Sequence, residues 1–141
     1  MCIRDSGGAD AFVPQKISWN RTNTFPHHTF LWEGLDGTTL PTHFPPANTY
    51  NSEIDPGELV PAARTFAERA VANTSLLPFG HGDGGGGPTR EMMARLTLAS
   101  DLAAVPRVAV GSAAEFFAEA PPEPPHPPRL AAELYPDIAR A

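Results

Sequence analysis

The chain has 141 residues, with 10 basic and 16 acidic side chains and a formal net charge of −6. No basic run of the kind that neutralises a phosphate backbone is present, which argues against nucleic acid as a partner. A single cysteine, Cys2, rules out an internal disulfide, and no apolar run approaches the roughly 20 residues that span a bilayer, so no membrane partner is expected.

In chain order, residues 1–15 form a stretch of uncertain assignment. Its start, Met1-Cys2-Ile3-Arg4-Asp5-Ser6, is too short and polar for a secretory signal, which sets a cytoplasmic expectation for the stretch present. From 12 to 43, aromatic and β-branched residues with Asp36-Gly37 as a turn signal predict short strands. Residues 29–33 and 38–43 are expected to pair as a hairpin, with Pro41 demoting the second run to an edge strand or an irregular segment. Residues 44–51, with two prolines and two asparagines, read as an extended loop.

Asp55-Pro56-Gly57-Glu58 has the order of a helix start: an acceptor at the N-cap, proline at N1 and glutamate at N3. The helix is expected to reach about Ala72, its regular part beginning at Pro61, since a proline inside a helix removes a hydrogen bond. Leu59, Ala63, Phe66, Ala67, Ala70 and Val71 supply an apolar stripe. Residues 75–79 read as a buried strand, and 89–102 as a helix turning Met92, Met93, Leu96 and Ala99 to the core. Residues 107–110 read as a further strand, and Ser112-Ala113-Ala114-Glu115 as a capping box opening a short helix with Phe116 and Phe117. This alternation predicts an α/β fold with a parallel sheet. Residues 120–129 are a linker or surface loop, six of positions 121–128 being proline.

The chemistry concentrates where the apolar run 76–79 ends in Gly80-His81-Gly82-Asp83-Gly84-Gly85-Gly86-Gly87-Pro88-Thr89. Glycines around Asp83 leave its carboxyl unscreened and let backbone approach a ligand closely. Partial desolvation there would raise its pKa toward that of a general acid, whereas its bland role is to close a turn through its own backbone. His81 offers three roles: polarising Asp83, touching a substrate hydroxyl or binding a metal; a lone loop histidine is more often a surface hydrogen-bonding residue. His27 and His28 are adjacent, so in a strand they point to opposite faces and do not read as joint zinc ligands. Trp19 and Trp32 are candidates for stacking on a sugar ring, although tryptophan at strand spacing is more often core. Gly82-x-Gly84-x-x-Gly87 also fits a dinucleotide fingerprint, a weak match because successive glycines satisfy almost any such spacing. A carbohydrate-binding module without chemistry is the other alternative.

Four ordered blocks carry a resemblance: Lys16-Ile17-Ser18-Trp19-Asn20; Asn23 with Phe25-Pro26-His27-His28-Thr29-Phe30-Leu31-Trp32-Glu33-Gly34-Leu35-Asp36-Gly37; His43-Phe44-Pro45-Pro46 through Thr49-Tyr50-Asn51; and the glycine loop. Over residues 16–119 the chain resembles family-thirty-eight glycoside hydrolases, the α-mannosidases, and most resembles the cytosolic and bacterial branch. The resemblance implies the latter part of a distorted parallel β/α barrel catalytic domain, incomplete on its own. Residues 130–141 would begin the next segment, and residues 1–6 interrupt the family pattern as an artefact would.

In activity it implies a retaining hydrolase of terminal α-mannosides, with Asp83 as general acid/base. Tyr50, Asn51, Lys16 and His81 would be the substrate-binding residues. It also implies zinc or another divalent metal in the parent enzyme, held by an upstream His-x-Asp segment, the nucleophilic Asp and a downstream histidine. None of these matches a position here, so no metal ligand is assigned. The expected partners are a mannose-containing oligosaccharide and the remainder of the parent catalytic domain, and the isolated chain is expected to be inactive.

Overall fold

The computed structural model describes residues 8–20, 22–82, 84–119 and 128–131, apart from the side chain of Ile17. They form a small mixed α/β unit. In chain order these are a 3₁₀ turn at Lys16–Trp19, strands β1 (Thr29–Glu33) and β2 (Thr39–His43), helices α1 (Pro56–Thr65), α2 (Arg90–Ala99) and α3 (Ala113–Glu119), and strand β3 (Arg129–Leu130). The sheet order is β2-β1-β3.

The hairpin forms as its sequence predicts, with Thr29 opposite His43 and Glu33 opposite Thr39 in antiparallel register. The connecting turn closes by Gly34 N–H accepted at Thr38 O and Gly37 N–H at Gly34 O, with Gly37 at φ 81°. Pro41 lies opposite Leu31 on an edge strand. On the outer edge of β2, Phe12 N–H donates to Pro41 O at 2.9 Å and His43 N–H donates to Phe12 O at 3.0 Å. Residues 41 and 43 thus turn their backbone groups away from β1, so the N–H that proline lacks is one β1 would not have used.

The sheet is mixed and not wholly parallel: only β3 joins β1 in parallel, over Leu31–Arg129 and Trp32–Leu130. Residues 75–79 and 107–110 form no strand. Their amide partners explain this for the first run. Leu76 N–H goes to the ring of His43, and only Ser52 N–H to Pro78 O and Gly80 N–H to Ser52 O remain, a single bridge of Ser52 with Phe79 where a ladder was expected.

Helix α1 begins at Pro56, not at Pro61. Asp55 Oδ1 accepts Gly57 N–H at 2.7 Å, and Glu58 closes the reciprocal half of the capping box. Pro61 is accommodated inside the helix, which stops at Thr65 instead of Ala72. The expected apolar stripe holds only at Leu59 and Phe66: Ala63, Ala67, Ala70 and Val71 are exposed, and Glu68 is buried instead. Helix α2 is capped by Thr89 Oγ1 on Met92 N–H. Met92, Leu96 and Ala99 are buried as expected, whereas Met93 is exposed. The Ser112 capping box opens α3, Ser112 Oγ accepting Glu115 N–H and Glu115 Oε2 accepting Ser112 N–H.

Ile54, Leu59, Leu96 and Ala99 form the core between α1 and α2, with Leu77, Phe79, Val105 and Val108 packed against it. Each large side chain buried there contributes about 1.5–3 kcal/mol. A second, aromatic cluster packs His43 against Phe66 and Phe116, with His28 stacked on Phe44 at 5.2 Å between ring centroids and 8° between planes.

Candidate active site

Asp83, the expected acid/base, lies outside the described residues; its chain neighbours Gly82 and Gly84 are within them. The surrounding loop is closed on itself. His81 and Gly87 exchange both backbone hydrogen bonds, at 2.9 and 2.8 Å, and Gly85 N–H donates to Gly82 O at 2.7 Å. Gly80 holds the crossing with φ 102°, and a Cβ there would meet backbone atoms of Gly87 and Pro88 at 2.8 Å.

The Tyr50–Asn51 segment lies alongside this loop. Asn51 Oδ1 accepts Gly82 N–H at 2.9 Å, Ser52 N–H donates to Pro78 O at 3.4 Å, and Gly80 N–H donates to Ser52 O at 3.0 Å. Two of the expected site blocks are thereby joined: Asn51 and Gly82 are 31 positions apart and in direct contact.

Both helices buttress the junction. Ser52, wholly buried, donates its hydroxyl to Glu58 Oε2 of α1 at 2.7 Å, and the same oxygen accepts Glu53 N–H at 3.0 Å. Arg95 of α2 contacts Glu53 through its carbonyl and its carboxylate, both at 3.3 Å, and Glu91 at 2.6 Å. Ile54, next in the chain, is buried in the core at φ 59°. A β-branched residue in the left-handed region is strained, and here its amide is held by Ser52 Oγ at 3.1 Å.

The remaining expected residues are dispersed. Tyr50 is partly exposed and its hydroxyl donates to Val13 O at 3.1 Å; burial raises its pKa above the ordinary tyrosine value, so it serves as a neutral hydroxyl at physiological pH. Lys16 Nζ sits 5.1 Å from the ring centroid of Trp19, a cation–π contact on the 3₁₀ turn. His81 is exposed, its backbone fixed by Gly87. Trp32 packs between Phe12 and Phe30.

Three buried polar groups escaped the sequence reading. Glu68 Oε2 accepts the backbone N–H of His28 at 3.0 Å and of Thr29 at 3.1 Å, and Oε1 lies 3.2 Å from His27 Nδ1. His28 Nδ1 accepts Ala67 N–H, so the two adjacent histidines precede the strand and both address residues 67–68. His43 is fully buried between Thr29 Oγ1 on Nδ1 and Leu76 N–H on Nε2. Acceptance from an amide at Nε2 places the ring proton on Nδ1, and desolvation, reinforced by His28, lowers its pKa to about 3. Gln15, also buried, clamps Asn48 O at 2.7 Å; Asn48 occupies φ 58°. None carried a local signal, because each pairs with a residue at least 14 positions away.

Among the described residues no three His, Cys, Asp or Glu side chains converge on a common point, so these residues do not fit a divalent metal by themselves. Among them, too, no helix is long and apolar enough to cross a membrane.

Comparison with known proteins matches residues 2–125 to the glycosyl hydrolases family 38 N-terminal domain. The chain is similar to Alpha-mannosidase G of Dictyostelium discoideum, 44% identical over 133 residues covering 94% of this chain and 12% of that protein. It is likewise similar to Alpha-mannosidase 2C1 of Homo sapiens, 44% identical over 110 residues, 78% of this chain and 11% of the relative. Alpha-mannosidase of Saccharomyces cerevisiae is 38% identical over 115 residues, again 78% and 11%. The chain therefore spans about one-eighth of the length of the first of these curated relatives. With 124 consecutive residues under the family model and the motif-bearing loops built as one unit, the chain belongs to glycosyl hydrolase family 38, in its N-terminal domain.

Proposed function

We propose that this chain is a segment of an α-mannosidase, contributing the general acid/base and part of the sugar-binding surface of a retaining active site. The observation that carries it is the Asn51–Gly82 contact, which joins the Tyr50–Asn51 loop to the residue preceding Asp83. Retaining hydrolysis needs two carboxyl groups about 5–5.5 Å apart, one as nucleophile and one donating a proton to the leaving oxygen and then activating water. Asp83 is the proton donor in this reading and the nucleophile comes from another part of the parent. Tyr50, Asn51, Lys16 and His81 contact the hydroxyls and ring oxygen of a mannose-containing oligosaccharide. Zinc or another divalent metal is held by parent residues outside those described here. The segment takes its place as the latter part of a distorted β/α barrel, a view supported by the parallel β1–β3 pair formed across three intervening helices.

The nucleotide alternative is disfavoured by the loop's own bonding. A phosphate cradle needs backbone N–H groups aimed at the ligand. Here the amides of Gly80, Gly82, Gly85 and Gly87 are all spent within the chain.

The test is Asp83→Asn in a full-length α-mannosidase carrying this segment. Loss of a general acid removes roughly 10²–10⁴-fold on substrates with a poor, sugar-like leaving group. A dinitrophenyl mannoside, whose leaving group needs no proton, should be cleaved into the glycosyl intermediate nearly as before. Because the same carboxyl activates water in the second step, turnover falls on both substrates, and the assignment is read in kcat/KM, which reports formation of the intermediate: an equal loss there on both would reject it. The isolated chain should hydrolyse neither, and turnover by it would show that the site is not divided between segments.

A further inference from the structure

We infer that Asn51 is a positioning residue for the glycine loop, acting through its amide oxygen on the Gly82 N–H; the inference rests on the acid/base reading of the neighbouring residue in the chain.

The geometry gives Asn51 a role that a sugar contact does not require. Its Oδ1 receives Gly82 N–H at 2.9 Å, and its own N–H donates to Thr49 Oγ1 at 3.0 Å, so the side chain reaches the loop from a braced backbone. The approach is close enough that a Cβ on Gly82 would come within 2.6 Å of Oδ1. A side chain at 82 is thus accommodated only if Asn51 Oδ1 gives way, while the backbone there shows no positive φ, unlike at Gly80, Gly84, Gly86 and Gly87. The bond falls at the last described residue before Asp83 and at the acceptor end of the Gly85 N–H to Gly82 O closure.

Asn51 is in turn continuous with a rigid support. Ser52 is wholly buried and bonded to Glu58, and Glu53 is bonded to Arg95, so both helices fix the segment from which Asn51 projects. A glycine-rich loop is conformationally permissive, and a single side-chain acceptor at its base removes part of that freedom before substrate arrives. The donor half of the amide, Nδ2, is not needed for this role, which separates it from a hydroxyl contact.

The experiment uses the full-length enzyme with Asn51→Ala, Asn51→Asp and Gly82→Ala, assayed on a sugar-leaving-group substrate and on a dinitrophenyl mannoside, with melting temperatures recorded. Misplacing a catalytic group by about 1 Å is worth roughly 100-fold. Asn51→Ala should lower kcat/KM on the sugar substrate by roughly 10- to 100-fold and kcat/KM on the dinitrophenyl substrate, whose leaving group needs no proton, far less. Asn51→Asp keeps the acceptor oxygen and should restore most of the rate. Gly82→Ala, by pushing Oδ1 away, should reproduce the alanine pattern and carries the test if Asn51→Ala does not accumulate.

A rise in KM at unchanged kcat, an equal loss in kcat/KM on both substrates, or an aspartate no better than alanine would overturn the inference. Asp83→Asn run in parallel separates the two readings. If it shows the leaving-group dependence and Asn51→Ala does not, only the positioning role falls; if it shows none, both fall.

Discussion

The carboxylate of Glu68 holds the backbone N–H of Thr29 at 3.1 Å, fixing the first residue of β1 from a point 39 positions later in the chain. The same oxygen takes the His28 N–H, so one buried side chain satisfies two donors at the mouth of the sheet. Truncation to alanine would leave both without a partner, and each unsatisfied buried donor costs about 1–3 kcal/mol. Glu68→Ala is therefore expected to destabilise the chain by about 2–4 kcal/mol in urea unfolding, whereas Glu68→Gln, which keeps one acceptor oxygen, should lose less than half of that. Equal effects of the two would mean that packing, not the acceptor, is what Glu68 supplies.

His43 makes stability depend on pH. Its folded pKa, about 3, lies below the unfolded value of 6.5, so between these limits the unfolded state binds more protons. The contribution is whole above pH 6.5 and is lost as pH falls toward 3, at about 1.4 kcal/mol per pH unit within the window. His28, whose pKa is also lowered by burial, acts in the same direction. The imidazole resonances of His43 should stay at their neutral positions down to pH 4 while the urea midpoint falls. A His43 that titrates near pH 6.5 would refute the buried neutral assignment.

Glycines of the loop are not equivalent. At Gly80 an added methyl group meets backbone of Gly87 and Pro88 at 2.8 Å in addition to facing a positive φ. At Gly84, φ 80°, nothing lies within 4 Å. Left-handed strain amounts to about 1–2 kcal/mol and overpacking adds about 1–3 kcal/mol. Gly80→Ala should thus cost at least about 2 kcal/mol in unfolding free energy and Gly84→Ala only about 1 kcal/mol. Comparable midpoints for the two variants would contradict the closed loop described above.

Local chemistry made much of this fold readable. Asp36-Gly37 between two β-rich runs predicted the hairpin, and the reciprocal pairs Asp55–Glu58 and Ser112–Glu115 predicted two helix starts that the structure contains. The apolar spacing of Met92, Leu96 and Ala99 located the buried side of α2. The failures share a cause in distant partners. Residues 75–79 look like a strand by composition, but a strand needs a continuous row of facing amides, and Leu76 finds the His43 ring instead. The stripe through Ala67, Ala70 and Val71 suits a helix, but Glu68 is captured by His28 and Thr29, and the chain turns after Thr65 to deliver it. For the candidate site, the sequence identified the blocks but not the bond between Asn51 and Gly82, since no local pattern records a contact across 31 positions.

The way Phe12 seats itself on the outer side of β2 bears on self-association. An open strand edge templates another copy of the chain, and natural sheets blunt such edges with proline or with a short covering segment. Here Phe12 already occupies the outward carbonyl of Pro41 and the outward amide of His43, while Pro41 itself offers an incoming strand no donor. Copies of this chain are thereby discouraged from stacking edge to edge through the hairpin, and the barrier is set by three residues, Phe12, Pro41 and His43.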